Sequence, residues 1–145
     1  MDDHARDLHR FLVAAVGPHD GADCFQETVL AALRAYPTLR SAENLRGWLF
    51  TIAHRKVIDH ARTRRRQASP VADPPELVHT DPDHSDAPLW VAVAGLPAKQ
   101  RSAVVQRYVL DRPYVEIAHV IGCSEDAARQ NVRAGLRRLR QEVRP

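Results

Sequence analysis

The stretch YVEIAHVIGCSEDAARQNVRAGLRRLR, Tyr114 to Arg140, decides the fold. Tyr114 to Val120 reads as a short helix with Ile117 and Ala118 turned inward, and Ile121-Gly122-Cys123 reads as a tight turn. Ser124 is placed to cap a longer helix, whose first turn carries Glu125 and Asp126, the charges that suit a positive helix N-terminus. A short helix, a glycine-containing turn and a longer helix make a helix-turn-helix. The expected apolar seam of the last helix is Ala128, Val132, Leu136, Leu139 and Val143. Arg129, Arg133, Arg137, Arg140 and Arg144 follow the same steps one residue later, about 100° around the helix, so a basic stripe flanks the seam. The N-terminal end of such a helix enters the major groove of duplex DNA. Arg129 has the chemistry for a bidentate contact to guanine, and Gln130 or Asn131 for one to adenine. Arginines farther along suit phosphates, which orient without specifying.

Working outward, the 145-residue chain has a formal net charge of +3, unevenly spread. Arg55 to Arg66 carries Arg55, Lys56, Arg62, Arg64, Arg65 and Arg66 against Asp59, and the segment from Arg129 onward is as basic. Between them, residues 67–88 hold five carboxylates, five prolines and no Lys or Arg, with no apolar periodicity. This is the composition of an extended, flexible acidic linker. Two basic segments around an acidic spacer point to a polyanion partner, although either segment alone is also what a solvated helix face looks like. Apolar residues at 44% and charged residues at 27% are those of a globular chain.

The expected fold is all-α, with two small helical domains, 1–66 and 89–145, joined by the linker at 67–88 and the helix-turn-helix in the second. In the first domain, Asp7 to Val16 is helical and Gly17-Pro18 ends it. The second helix should run from about Gly21 to Tyr36 with Phe25, Val29, Leu33 and Tyr36 inward, stopped by Pro37. Ser41 is the expected N-cap of a third helix with Leu45, Trp48, Leu49, Ile52 and Ala61 on or near one face and Arg55, Asp59 and Arg62 on the other. In the second domain, Leu89 to Ala94 precedes a break at Leu96-Pro97, and a helix bearing Val104, Val105, Tyr108 and Val109 follows.

No Gly-rich phosphate loop, zinc-spaced Cys/His set or nucleophile motif is present, so no catalytic residue, metal site or cofactor is expected, and no small-molecule substrate. His54 and His60, six apart, do not share a helix face. Cys24 and Cys123 read as small buried hydrophobes in a reducing setting, with a redox switch as the alternative. There is no secretory signal and no apolar run long enough for membrane insertion, so the expected setting is cytoplasmic. No further domain is expected after Pro145.

With these residues in view, nearly the whole chain resembles the small extracytoplasmic-function group of RNA polymerase sigma factors. The likeness in the second half rests on Leu96-Pro97, Gln100-Arg101, Arg107-Tyr108, Tyr114 to Ala118, Ile121 to Ser124 and Leu136 to Arg140, which resemble sigma region 4. In the first half, Asp23 to Thr28 resembles the region 2 helix that docks on the polymerase clamp. Trp48-Leu49-Phe50, Ile52-Ala53-His54 and Ile58-Asp59-His60 resemble the adjoining helix that recognises and melts the minus-ten element. Many relatives have Arg-Asn after Ile-Ala, where this chain has His54-Arg55.

The resemblance implies core RNA polymerase and promoter DNA as partners, and allows for an anti-sigma factor. It implies an upstream, minus-thirty-five set of Ser124, Arg129, Gln130, Asn131, Arg133 and Arg137, and a downstream set of Trp48, Arg55, Lys56, Asp59, His60, Arg62, Arg64 and Arg65. Asp23, Gln26 and Glu27 would meet the polymerase. Trp48 also fits a core position, and Glu27 also fits as an ordinary solvated carboxylate. The competing reading is a stand-alone helix-turn-helix regulator, for which the second half alone would suffice.

Overall fold

The computed structural model describes residues 2–40, 43–67 and 87–143. Among them are seven α-helices and no strand: α1 (Asp2–Val16), α2 (Pro18–Ala35), α3 (Leu45–Gln67), α4 (Ala87–Ala94), α5 (Ala98–Tyr108), α6 (Tyr114–Ile121) and α7 (Glu125–Glu142). Nearly all of the expected linker, the proposed cap Ser41 and the last arginine of the stripe, Arg144, lie outside the described residues.

The first three helices form one unit, in which α1 packs on α2 and α3 and α2 packs on α3. The other four form a second, with α7 against α4, α5 and α6. These two units share a single core, because α1 also meets α4 and α5, and α3 also meets α5 and α6. The centre of that core is α1: Phe11, Leu12 and Ala15 have no exposed surface and Leu8 is nearly as buried. Phe11 meets Phe50 of α3 with ring centroids 5.6 Å apart, within the range of favourable aromatic pairs.

Three packing faces differ from the sequence expectation. The buried residues of α2 are Gly21, Cys24, Thr28 and Ala32, while Val29, Leu33 (66% exposed) and Tyr36 (59%) face outward and Phe25 is half-buried. Both sets have helical spacing. The small set wins because it lets α1 come close, and its one polar member is satisfied, Thr28 donating to the Cys24 carbonyl at 2.7 Å. On α3 the buried stripe is Phe50, Ala53, His54 and Val57, with Leu45, Trp48, Leu49, Ile52 and Ala61 half-buried. The cap of α3 is built by Asn44, whose side chain accepts from Gly47 N at 3.1 Å. On α7 the seam is Ala128, Val132, Gly135 and Leu139, with Leu136 half-buried and Val143 exposed. Gly135 holds a seam position because α5 crosses there, and a Cβ at this residue would lie 2.6 Å from Val104 Cγ2. Tyr108, expected with the apolar set of α5, is 61% exposed.

Polar groups also cross between the units. Asp7 Oδ2 accepts from Arg46 at 2.6 Å within its own unit and from Arg112 at 2.7 Å in the other. Arg101, 7% exposed, donates to the carbonyls of Ala15 and Leu96. His54 Nδ1 pairs with Ser102 Oγ at 2.6 Å. Burial, with Lys99 and Arg55 adding to it, lowers the His54 pKa to about 4, so its imidazole is neutral.

Candidate nucleic-acid interface

The helix-turn-helix is assembled from local signals. Helix α6 begins directly after Pro113 and ends at Gly122, which takes the left-handed conformation (φ 73°, ψ 44°) that a residue with a Cβ resists. The amides of Gly122 and Cys123 both donate to the Ala118 carbonyl. Ser124, extended, then accepts from Ala127 N at 3.1 Å and caps α7. Its hydroxyl keeps its own proton for donation.

Arg129, Gln130, Arg133, Arg137 and Arg140 lie on the outer side of α7, with all but the half-buried Arg129 exposed. The four arginines fall within a sector of about 80° at 100° per residue. Asn131 is half-buried and its Nδ2 donates to Ala127 O at 3.0 Å, so its amide is tied to its own helix. Arg129 is the member with the most partners. Its Nη2 is 2.8 Å from Glu125 Oε1, its Nη1 is 3.3 Å from Asp126 Oδ1, and its guanidinium stands 5.1 Å from the centroid of the Tyr114 ring. Arg107 approaches the same ring at 4.6 Å and donates to the Arg112 carbonyl at 3.0 Å. The sequence reading missed this arrangement around Arg129, although Glu125 and Arg129 have the i, i+4 spacing and order of a helical ion pair.

In the first unit, Trp48, Arg55, Asp59, Arg62 and Arg66 share one side of α3 by their spacing of seven, four, three and four. That side lies opposite the buried stripe, and Trp48, half-buried, also has Leu45 and Ile52 as its i−3 and i+4 neighbours. Arg55, Asp59, Arg62, Arg64 and Arg65 are exposed, and Lys56 is half-buried. His60 turns the other way: its Nε2 is 2.7 Å from Asp20 Oδ2 of α2, and Arg64 reaches the same carboxylate at 3.8 Å.

On α2, Asp23, Gln26 and Glu27 are exposed as expected, and Leu30 (52% exposed) and Leu33 join them on the outer surface. The result is a mixed apolar and acidic face.

Among the described residues, His19, Asp20 and Asp23 are the group whose donor atoms lie close enough, within 4.8 Å, to share a cation. They sit at the positive end of α2 and Asp20 is already bonded to His60, which works against a cation there. Cys24 is buried and its thiol is pushed up to about 11 by burial and by the neighbouring Glu27, Asp20 and Asp23, so it is held protonated and unreactive. Cys123 is half-buried, and burial raises its thiol as well. No described helix is long and apolar enough to cross a membrane.

Comparison with known proteins matches both halves. Residues 1–67 fit the family Sigma-70 region 2, and residues 87–139 fit Sigma-70, region 4. The chain is 34% identical over 130 residues to the ECF RNA polymerase sigma factor SigF of Caulobacter vibrioides, covering 88% of this chain and 73% of that one. It is 25% identical over 146 residues to the RNA polymerase sigma factor SigV of Bacillus subtilis, covering 99% and 88%. Among solved structures, the sigma factor RpoE bound to the anti-sigma factor NepR from Bartonella quintana has the same fold, with a TM-score of 0.77 at 21% identity over 97% of this chain and 91% of that one.

Proposed function

Because the chain belongs to the extracytoplasmic-function group of RNA polymerase sigma factors, and so binds core polymerase and directs it to promoters, we propose how its residues divide that work. The second unit, within 89–145, reads the upstream element through the Ser124-capped end of α7. There Arg129 and Gln130 meet base edges, while Ser124, Arg133 and Arg137 hold phosphates. Asn131 joins the base readers only by giving up its bond to Ala127 O. The first unit, within 1–66, takes the downstream element on the face of α3 bearing Trp48, Arg55, Asp59 and Arg62, with Lys56, Arg64 and Arg65 flanking it. His60 braces α3 against α2 through Asp20. The outer face of α2, with Asp23, Gln26, Glu27, Leu30 and Leu33, docks on the polymerase.

The single observation that carries this reading is the capped N-terminal turn of α7 with Arg129 and Gln130 on its outer side. Joining two readers in one chain makes the second contact intramolecular, so readers that are weak alone act together. The protein performs no catalytic step of its own and works in the cytoplasm. An anti-sigma partner is supported by the shared fold with the NepR-bound sigma factor. The decisive experiment is run-off transcription with core polymerase and a genomic promoter library. Initiation from a shared two-element motif supports the assignment. Tight operator binding with no initiation would favour the stand-alone regulator instead.

A further inference from the structure

On α7, among the described residues, Arg129 is the one arginine held by ion pairs, and it is also the one nearest the helix N-terminus. A free arginine side chain samples many rotamers and binds any phosphate within reach. This one has both terminal nitrogens on carboxylates one turn back and its guanidinium against the ring of Tyr114. The ring is itself anchored, because Tyr114 opens α6 immediately after Pro113 and Arg107 of α5 packs on it. Residues of three helices therefore meet at the Tyr114 ring, with Arg107 of α5 and Arg129 of α7 both against it.

We propose that Tyr114 and Glu125 are positioning residues that set Arg129 as a base reader and withhold it from the phosphate backbone. The proposal rests on Arg129 reading a base. Each terminal nitrogen of Arg129 carries two N–H groups; one is taken by a carboxylate and one stays free for a base edge. The ring limits the planes the guanidinium adopts, which lowers the ordering cost on binding. The two carboxylates more than offset its single charge at long range, so it adds little to the non-specific, salt-dependent attraction that Arg133 and Arg137 supply. Discrimination thus rests on a cation that contributes weakly to affinity for the wrong sequence.

The test uses holoenzyme reconstituted from the full chain and core polymerase, with selection from a randomised duplex library and then binding at several salt concentrations. Arg129→Ala should abolish preference at one upstream base pair, which identifies the pair it reads. Tyr114→Leu should reduce preference at that same pair by about 5- to 10-fold and leave other positions unchanged, while Tyr114→Phe, which keeps the ring, retains it. Glu125→Gln should relax the same pair and steepen the salt dependence by about one phosphate contact. In the Arg129→Ala background, neither substitution should add anything. Losses spread evenly over all positions, or persisting in that background, would make Tyr114 and Glu125 mere scaffold and overturn the proposal. Unchanged preference in Arg129→Ala would instead overturn the reading of Arg129 itself. Should Tyr114→Leu fail to fold, Glu125→Gln decides alone, since Glu125 is exposed and outside the core.

Discussion

Asp7 and Arg112, 105 positions apart in the chain, are joined by a 2.7 Å ion pair, and the same carboxylate oxygen binds Arg46 at 2.6 Å. Asp7 is about three-quarters buried, so its removal leaves two guanidiniums short of a partner at the seam between the two helical units. Asp7→Ala should cost about 2 kcal/mol, below the range for fully buried pairs because solvent screens part of the interaction. Urea denaturation gives the loss, and faster hydrogen exchange in α1 and α6 would place it at the seam. An unchanged midpoint would show the pairing to be idle.

His54 makes the fold sensitive to acid. Its folded pKa, about 4, lies below the ordinary 6.5, so the unfolded chain takes up the proton first. Stability is therefore complete above about pH 6.5 and falls as the pH drops toward 4. By linkage the loss between about pH 7.5 and about pH 5 is on the order of 2 kcal/mol. His54→Asn should flatten this slope in chemical denaturation across that window. A wild-type curve with no slope there would remove His54 as its source.

The crossing of α5 and α7 tolerates no side chain at position 135. Gly135→Ala would ordinarily favour a helix by about 1 kcal/mol. Here its methyl would collide with Val104, and overpacking of about 1–3 kcal/mol outweighs the gain. The melting temperature should fall, and Val104→Ala should restore part of the loss in the double variant. A single variant more stable than the parent would contradict the close crossing.

The outer face of α2 should separate polymerase binding from folding. Leu30→Ser with Leu33→Ser removes apolar surface that is half or more in water, so thermal stability should fall by no more than about 1 kcal/mol. Affinity for core polymerase should drop by about tenfold or more if these residues sit centrally in the contact. Co-purification at the parental level would show that docking uses a different face.

Arg137 should behave as a phosphate contact. Its replacement by Ala is expected to weaken promoter binding evenly across sequences and reduce the salt slope by about one. A change confined to one base pair would make it a reader and extend the discriminating end of α7 by two turns.

How much of this was legible beforehand depends on how local each signal is. The helix-turn-helix was readable from Pro113, Gly122, Ser124 and the first-turn acids because each acts on backbone within a few residues of itself. The inward face of α2 is hidden in the sequence because large apolar residues outweigh small ones in a periodicity count. The packing instead uses Gly21, Cys24, Thr28 and Ala32. Trp48 is half-buried, with apolar residues at i−3 and i+4 and Arg55 two turns on, so its spacing fits both faces of α3. The seam was hidden for a different reason. Asp7, His54 and Arg101 find partners in the other unit 48 to 105 residues away, and no local pattern marks such a pairing.

Arg101 is bonded to uncharged acceptors, the carbonyls near the end of α1 and just beyond α4. Helix C-termini offer partial negative charge without any group that titrates or attracts counterions. Acid loosens His54 and salt screens Asp7 from its arginines, but neither reaches this third tie. The two halves are thus fastened by links of different chemical kind. A partner that parts them has to offset the loss of the Arg101 bonds with contacts of its own, since neither carbonyl titrates.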